Sequence, residues 1–194
     1  MPDDDINSEN IRMRTKIIAG VVGLISLVAV LPAQAQEAPT AGHGSVGALL
    51  GYGFKDGVGL GFGVRGGYTL PMNLYLGGTF VYHLGKSEST PLGDITTKIY
   101  YFGVEAGYDI AAGPVVIRPY AGVGDATATA TIPGFSFGGI TSPSVTASSS
   151  KFGFWPGATL IYPMGGFFVG GDARFLVVDQ FNAFSVFATA GLQF

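Results

Sequence analysis

The sequence predicts an all-β fold: an eight-stranded antiparallel up-and-down transmembrane barrel with an apolar face and a small, polar one. Three observations predict it. First, 32 of the 194 residues are Gly, 13% are aromatic and only 12% are charged, while mean hydropathy is +0.41. The chain is therefore greasy and poor in charge. Second, its apolar residues are mostly scattered at every second position, which is the period of a strand and not of a helix. Third, most of the alternating segments run longer than the ~5–6 residues usual in soluble strands and match the ~9–11 needed to cross a bilayer.

The same composition excludes several classes. No apolar run reaches the ~18 residues of a membrane-spanning helix. The absence of Cys removes a disulfide scaffold, a thiolate metal site, a cysteine nucleophile and a lipidated cysteine. A net charge of −3 and a pI near 5.2 argue against a nucleic-acid partner.

Taken in chain order, the first element is a leader. Arg12, Arg14 and Lys16 precede an apolar run from Ile17 to Leu31, followed by Pro32-Ala33-Gln34-Ala35. A basic region, a short apolar region and an A-x-A site describe a secretory signal peptide over 1–35, cleaved after Ala35. The acidic stretch before Arg12 is unusual for such a leader, and Met13 offers an alternative start. A single membrane anchor is the competing reading, for which the run is short. Residues 36–43 form a short N-terminal segment, and 44–194 form the barrel.

Eight alternating segments follow, at 45–54, 58–70, 74–85, 98–110, 115–125, 151–162, 167–177 and 184–194. In 58–70 the greasy set is Val58, Leu60, Phe62, Val64, Tyr68 and Leu70, against Gly59, Gly61, Gly63, Arg65, Gly67 and Thr69. In 184–194 it is Phe184, Val186, Ala188, Ala190, Leu192 and Phe194. Pro71-Met72-Asn73, Ala111–Pro114 and Pro163–Gly166 are short turns. Lys55–Gly57, Lys86–Ile95, Ala126–Ser150 and Val178–Ala183 are the links at the other end, two of them long and polar. Short turns on one side and longer loops on the other is the pattern of outer-membrane barrels, with both chain ends on the short-turn side.

Charge decides which face meets lipid. The greasy faces carry only Lys98 and Asp125, both near the loops, whereas Arg65, Glu105, Arg118, Asp172 and Arg174 lie mid-strand on the Gly-rich face. Such a face makes a poor solvent surface and a good narrow lumen. Aromatics gather at both ends of the greasy faces, as two interfacial girdles require.

These features, with the ending Phe187-Ala-Thr-Ala-Gly-Leu-Gln-Phe194, resemble the small eight-stranded outer-membrane barrels of the OmpA/OmpX type over about residues 44–194. The resemblance implies a Gram-negative-type outer membrane with both termini in the periplasm. Phe187, Leu192 and Phe194 are similar to the C-terminal signal that the barrel-assembly machinery reads in that family. Outer-membrane lipids and lipopolysaccharide, and the assembly machinery during biogenesis, are the partners implied, around a monomeric barrel.

Inside the barrel, a charge network of Arg65, Arg118 and Arg174 against Glu105, Asp109 and Asp172 is expected, three charges of each sign as burial requires. Closing the turns at 110/115 and 162/167 sets Arg118 opposite Gly107, diagonal to Glu105 and Asp109, and sets Trp155 opposite Arg174 for a cation–π contact. A turn centred on Met72 sets Arg65 opposite Thr79 and His83 opposite Gly61. The network is expected to be a rigid plug; a charge gate that rearranges to pass solutes is the alternative.

Other signals are discounted. Gly61-Phe-Gly63-Val-Arg-Gly66 lies inside a strand with no helix after it, so it is no dinucleotide site. His83 points into the lumen and His43 lies in the N-terminal tail. No catalytic residue, cofactor or metal site is expected. In the long uncharged loop Ala126–Ser150, Phe135, Phe137 and Ile140 are the candidate apolar anchors for an outer-surface contact, and Thr127, Thr129 and Thr131 are placed to extend the strand above the membrane. The function expected is structural and surface-interacting: envelope integrity and display of loops. A narrow pore or carrier is the second reading, and a lipid A-modifying enzyme using Ser, His and an acidic partner the third. With nothing after Phe194, no peptidoglycan anchoring through a periplasmic domain is expected.

Overall fold

The computed structural model describes residues 42–55, 58–90, 93–132, 134–137, 140–179 and 181–194. The expected signal peptide and most of segment 36–43 lie outside them. The strands are β1 His43–Gly53, β2 Gly59–Thr69, β3 Leu74–Thr90, β4 Gly93–Tyr108, β5 Ile110–Ala112, β6 Val115–Ile132, β7 Phe135–Phe137, β8 Ile140–Ser142, β9 Val145–Met164, β10 Phe167–Val178 and β11 Phe181–Gln193. Asp109 interrupts one stave to give β4 and β5, and β7–β8 is a separate small hairpin. The other strands pair antiparallel in chain order, and β1 pairs with β11. The result is a closed eight-stave barrel. Closure pairs the backbone N–H and C=O groups that lipid cannot satisfy. β2, 11 residues long, spans about 36 Å along its axis. At a tilt of ~45° it rises about 26 Å, the height of a barrel's apolar band.

Glycine and asparagine set the turns. Asn73 adopts φ 62° after Pro71-Met72. Its N–H donates to Leu70 O at 2.9 Å, and Leu70 N–H donates to Leu74 O at 2.8 Å. This three-residue turn sets Arg65 opposite Thr79 and Gly61 opposite His83. The other two turns are tighter than the four-residue links expected. Ala112 pairs with Val115 and Met164 with Phe167, with Gly113 at φ 66° and Gly165 at φ 70°. Two-residue loops whose first residue has positive φ suit the twist of a hairpin. Both registers therefore sit two residues from those expected. Gly107 faces Tyr120 rather than Arg118, and Arg174 faces Gly157 rather than Trp155. A shift of two keeps every side chain on its face, so inside and outside are unchanged while the partners move by one rung.

The outer wall is apolar. Val64, Val104, Leu50 and Leu160 stand exposed along it, with Tyr52, Phe54, Phe152 and Phe184 toward the loops and Tyr68, Tyr108, Tyr162 and Phe167 toward the turns. Girdle rings touch across strands, as in Phe54–Phe184 at 5.9 Å and Tyr82–Tyr100 at 6.4 Å. The links Lys86–Ile95 and Ala126–Ser150, expected as loops, are mostly strand. β3 pairs with β4 out to Thr90, and β6 with β9 out to Ile132. Alternating Thr residues favour that extension, and cross-strand hydroxyls meet along it, Thr127 to Ser150 at 2.6 Å.

Candidate functional site

The lumen holds the buried charges, in two clusters. Nearest the turns, the Arg118 guanidinium donates from Nη2 to Asp109 Oδ2 at 2.8 Å and from Nε to Oδ1. Thr69 Oγ1 donates to Asp109 Oδ2 at 3.1 Å. The guanidinium lies 3.8 Å over the ring of Tyr75. Asp109 reaches this position because the stave breaks there, its N–H donating to Asn73 O at 2.8 Å.

The second cluster joins four charges from three sides of the barrel. Arg65 of β2 pairs with Glu105 of β4 (Nε–Oε2, 2.7 Å) and with Asp172 of β10 (Nη1–Oδ2, 2.9 Å). Arg174 pairs with Asp172 at 2.7 Å and lies 3.6 Å from Glu105. Neutral donors add hydrogen bonds to both carboxylates. Trp155 Nε1–H donates to Glu105 at 2.8 Å, Tyr120 O–H to Asp172 at 2.9 Å, and Thr159 O–H to Asp172 at 2.7 Å. Two positive and two negative charges thus balance within one buried cluster, and that balance offsets much of the cost of burying them. Of the two carboxylates expected within reach of Arg118, Asp109 is its partner and Glu105 is not: the register shift sets Arg118 beside Asp109 and leaves Glu105 to Arg65 and Arg174. The expected stacking of Trp155 on Arg174 is also corrected. Arg174 lies over Phe187 at 5.2 Å, and Trp155 packs against Tyr101 at 5.2 Å.

Above this cluster the lumen is filled by rings and aliphatics. Trp155, Tyr101, Phe187, Leu49 and Val81 are almost fully buried together. His83 is 1% exposed and sits between Tyr101 and Phe187. Val58, Ile99 and Ala183 close the loop end. Trp155 fits because Gly122 and Gly103 lie against its ring, where a Cβ would collide with the indole. Below, a cavity of about 340 Å³ opens at the turn end beside His43, Arg118, Gln193 and Phe194. A second void of about 20 Å³ lies beside Arg118 and Arg65, enough for one water.

Tyr75, Tyr101, Tyr120, Thr69 and Thr159 belong to the lumen and were not singled out in the sequence. The available signal was a large side chain on an otherwise glycine-rich face. Phe187, expected in a C-terminal assembly signal, is 1% exposed inside the barrel, while Leu192 and Phe194 face outward. The backbones of Phe135, Phe137 and Ile140 form β7 and β8, and their side chains lie outside the described residues. No group of metal-binding side chains occurs among the described residues.

Comparisons with known proteins agree with this geometry. No curated protein sequence matches the chain. The attachment invasion locus protein Ail of Yersinia pestis aligns at 23% identity, with 79% of this chain and 99% of that one covered and a TM-score of 0.53. Ail solved with the heparin analogue sucrose octasulfate aligns at 20% identity, with 79% and 99% covered and a TM-score of 0.52. A major outer membrane protein of Thermus thermophilus aligns at 17% identity, with 79% and 100% covered and a TM-score of 0.56. At these identities the likeness is one of fold. The profile described as outer membrane protein beta-barrel domain matches residues 22–194. A closed barrel with a greasy outside, a charged inside and this family match has one reading: the chain belongs to the outer membrane protein beta-barrel domain family and resides in the outer membrane.

Proposed function

We propose that the chain is a structural, surface-displaying barrel, exported by a signal peptide cleaved after Ala35, which acts through the sheet it holds above the outer membrane. The observation that carries this reading is the filled lumen. Arg65, Arg174, Glu105 and Asp172 cross it, and a layer of buried rings lies on top. A solute would have to displace four mutually neutralised charges and then Trp155. A narrow pore with a charge gate is therefore the weaker reading. Meanwhile β3, β4, β6 and β9 rise past the girdle as a paired sheet, which makes a rigid platform for contact. Ail is named for attachment and invasion and was solved with a heparin analogue. The stretch 126–150 of this chain has no charge, so a contact there rests on hydroxyls, backbone and apolar groups and not on polyanion pairing. Outer-membrane lipids and lipopolysaccharide surround the wall in this reading, and the barrel-assembly machinery inserts it.

Single-channel recording in planar bilayers tests this. The expected result is no conductance above baseline. Discrete openings that vanish when Arg65 or Glu105 is substituted would establish the gate instead.

A further inference from the structure

The cavity of about 340 Å³ at the turn end is as large as the smaller pockets that seat ligands. Its apolar wall is Val116, Ile161 and Pro163, and the Arg118–Asp109 pair also lines it. The lining is therefore apolar where it is not already neutralised. It suits a short uncharged stretch with small side chains, and it would strip the water from an added charge without supplying a free partner.

The chain itself arrives at this place. His43, the first residue of β1, belongs to the same lining. Gly42 N–H donates to Thr69 O at 2.8 Å, which pins the chain to the rim. Gly42 also takes φ 90°, whereas extended backbone has negative φ. The residues before it are thus turned off the line of the strand, at a position where glycine adopts that conformation without a Cβ penalty. They read Ala38-Pro-Thr-Ala41, small and uncharged, with Glu37 the first charge beyond them. Pro39 restricts the free chain and so reduces the entropy lost when the stretch is ordered. Four residues span up to about 14 Å, while a round cavity of this volume is about 9 Å across.

We propose that Ala38–Ala41 folds back across the turn-end mouth and fills this cavity, with Pro39 against Ile161 and Pro163 and with Glu37 left in water at the rim. The segment closes the lumen from below, as the buried rings close it from above. It also excludes water from the Arg118–Asp109 pair, which strengthens that pair by lowering the dielectric around it. The seat rests on cleavage after Ala35, part of the functional reading, which leaves Gln36 and Glu37 as the only residues beyond the plug.

The test uses the full chain purified from outer membranes in detergent. Its mass is read first, and a chain beginning at Gln36 is expected. The protein has no Cys, so introduced pairs report contacts without background. Ala38→Cys with Ile161→Cys places one thiol on the segment and one in the cavity. Ala38→Cys with Tyr68→Cys is the control, since Tyr68 stands on the outer wall beside Gly42. Under mild oxidation the first pair should form its disulfide about tenfold faster than the second. A Glu-specific protease gives an independent reading. Wild type should resist cutting after Glu37, and Val116→Trp or Ile161→Phe, which fill the cavity, should expel the segment and be cut about tenfold faster. Heat-dependent electrophoretic mobility checks that each variant is folded. Equal oxidation of the two cysteine pairs, or a faster Tyr68→Cys pair, would overturn the plug, as would equal cutting of wild type and both filled variants. Either result from a chain that begins at Gln36 leaves the surface-display reading intact. A chain that keeps residues 1–35 would instead overturn the cleavage, and the plug with it.

Discussion

Replacing Glu105 with alanine isolates the charge balance of the lumen. Glu105 is 3% exposed. It faces Arg65 at 2.7 Å and Arg174 at 3.6 Å, and accepts the Trp155 N–H at 2.8 Å. The substitution leaves two guanidinium groups against Asp172 alone. Breaking one side of a buried pair costs about 3–5 kcal/mol, and an orphaned buried N–H costs about 1–3 kcal/mol more. A destabilisation of about 4–8 kcal/mol follows, roughly 10³- to 10⁶-fold in the folding equilibrium. Urea unfolding in phospholipid vesicles, followed by Trp155 fluorescence, reads it directly. The double variant Arg65→Gln with Glu105→Gln leaves Arg174 and Asp172 balanced. It should therefore lose less than the sum of the single variants, by about 1–3 kcal/mol. A Glu105→Ala loss below about 1 kcal/mol, or strict additivity in the double variant, would refute the network as the barrel's internal support.

Trp155 is the sole tryptophan and is fully buried; its emission should be blue-shifted and resistant to acrylamide in the folded barrel, and exposed emission would contradict a filled lumen. Val104 stands 64% exposed on the outer wall; Val104→Arg should cost about 2–4 kcal/mol in a bilayer, and a neutral result in vesicle refolding would contradict the sidedness. Gly122→Val should collide with Trp155 and lower stability by about 1–3 kcal/mol; an unchanged unfolding midpoint would place the indole elsewhere.

The Gly/Arg face of 58–70 and the greasy face of 184–194 were legible because a strand's period is two, and the two-residue register shifts could not disturb that. Arg65 opposite Thr79 was legible as well, because Pro71-Met72-Asn73 admits a three-residue turn. The turns at Gly113 and Gly165 close two residues tighter than expected because strand alternation fixes the face of each residue but not the point at which a hairpin closes. That uncertainty of one rung left Arg118 between Glu105 and Asp109, and the structure pairs it with Asp109. Contacts across the lumen, such as Arg65 with Asp172 or Trp155 with Glu105, were beyond any hairpin argument. They join strands that are distant in the chain, and depend on how far the closed barrel staggers its staves.

By itself, then, the order of residues determined which side chains face hydrocarbon and which face inward, how many staves there are, and which end carries the short turns. These are local properties of alternation and turn chemistry. Only the closed tertiary structure decided which charge neutralises which and that aromatic rings fill the upper lumen. Each of those depends on distances across the ring, and such distances exist only once β1 has met β11.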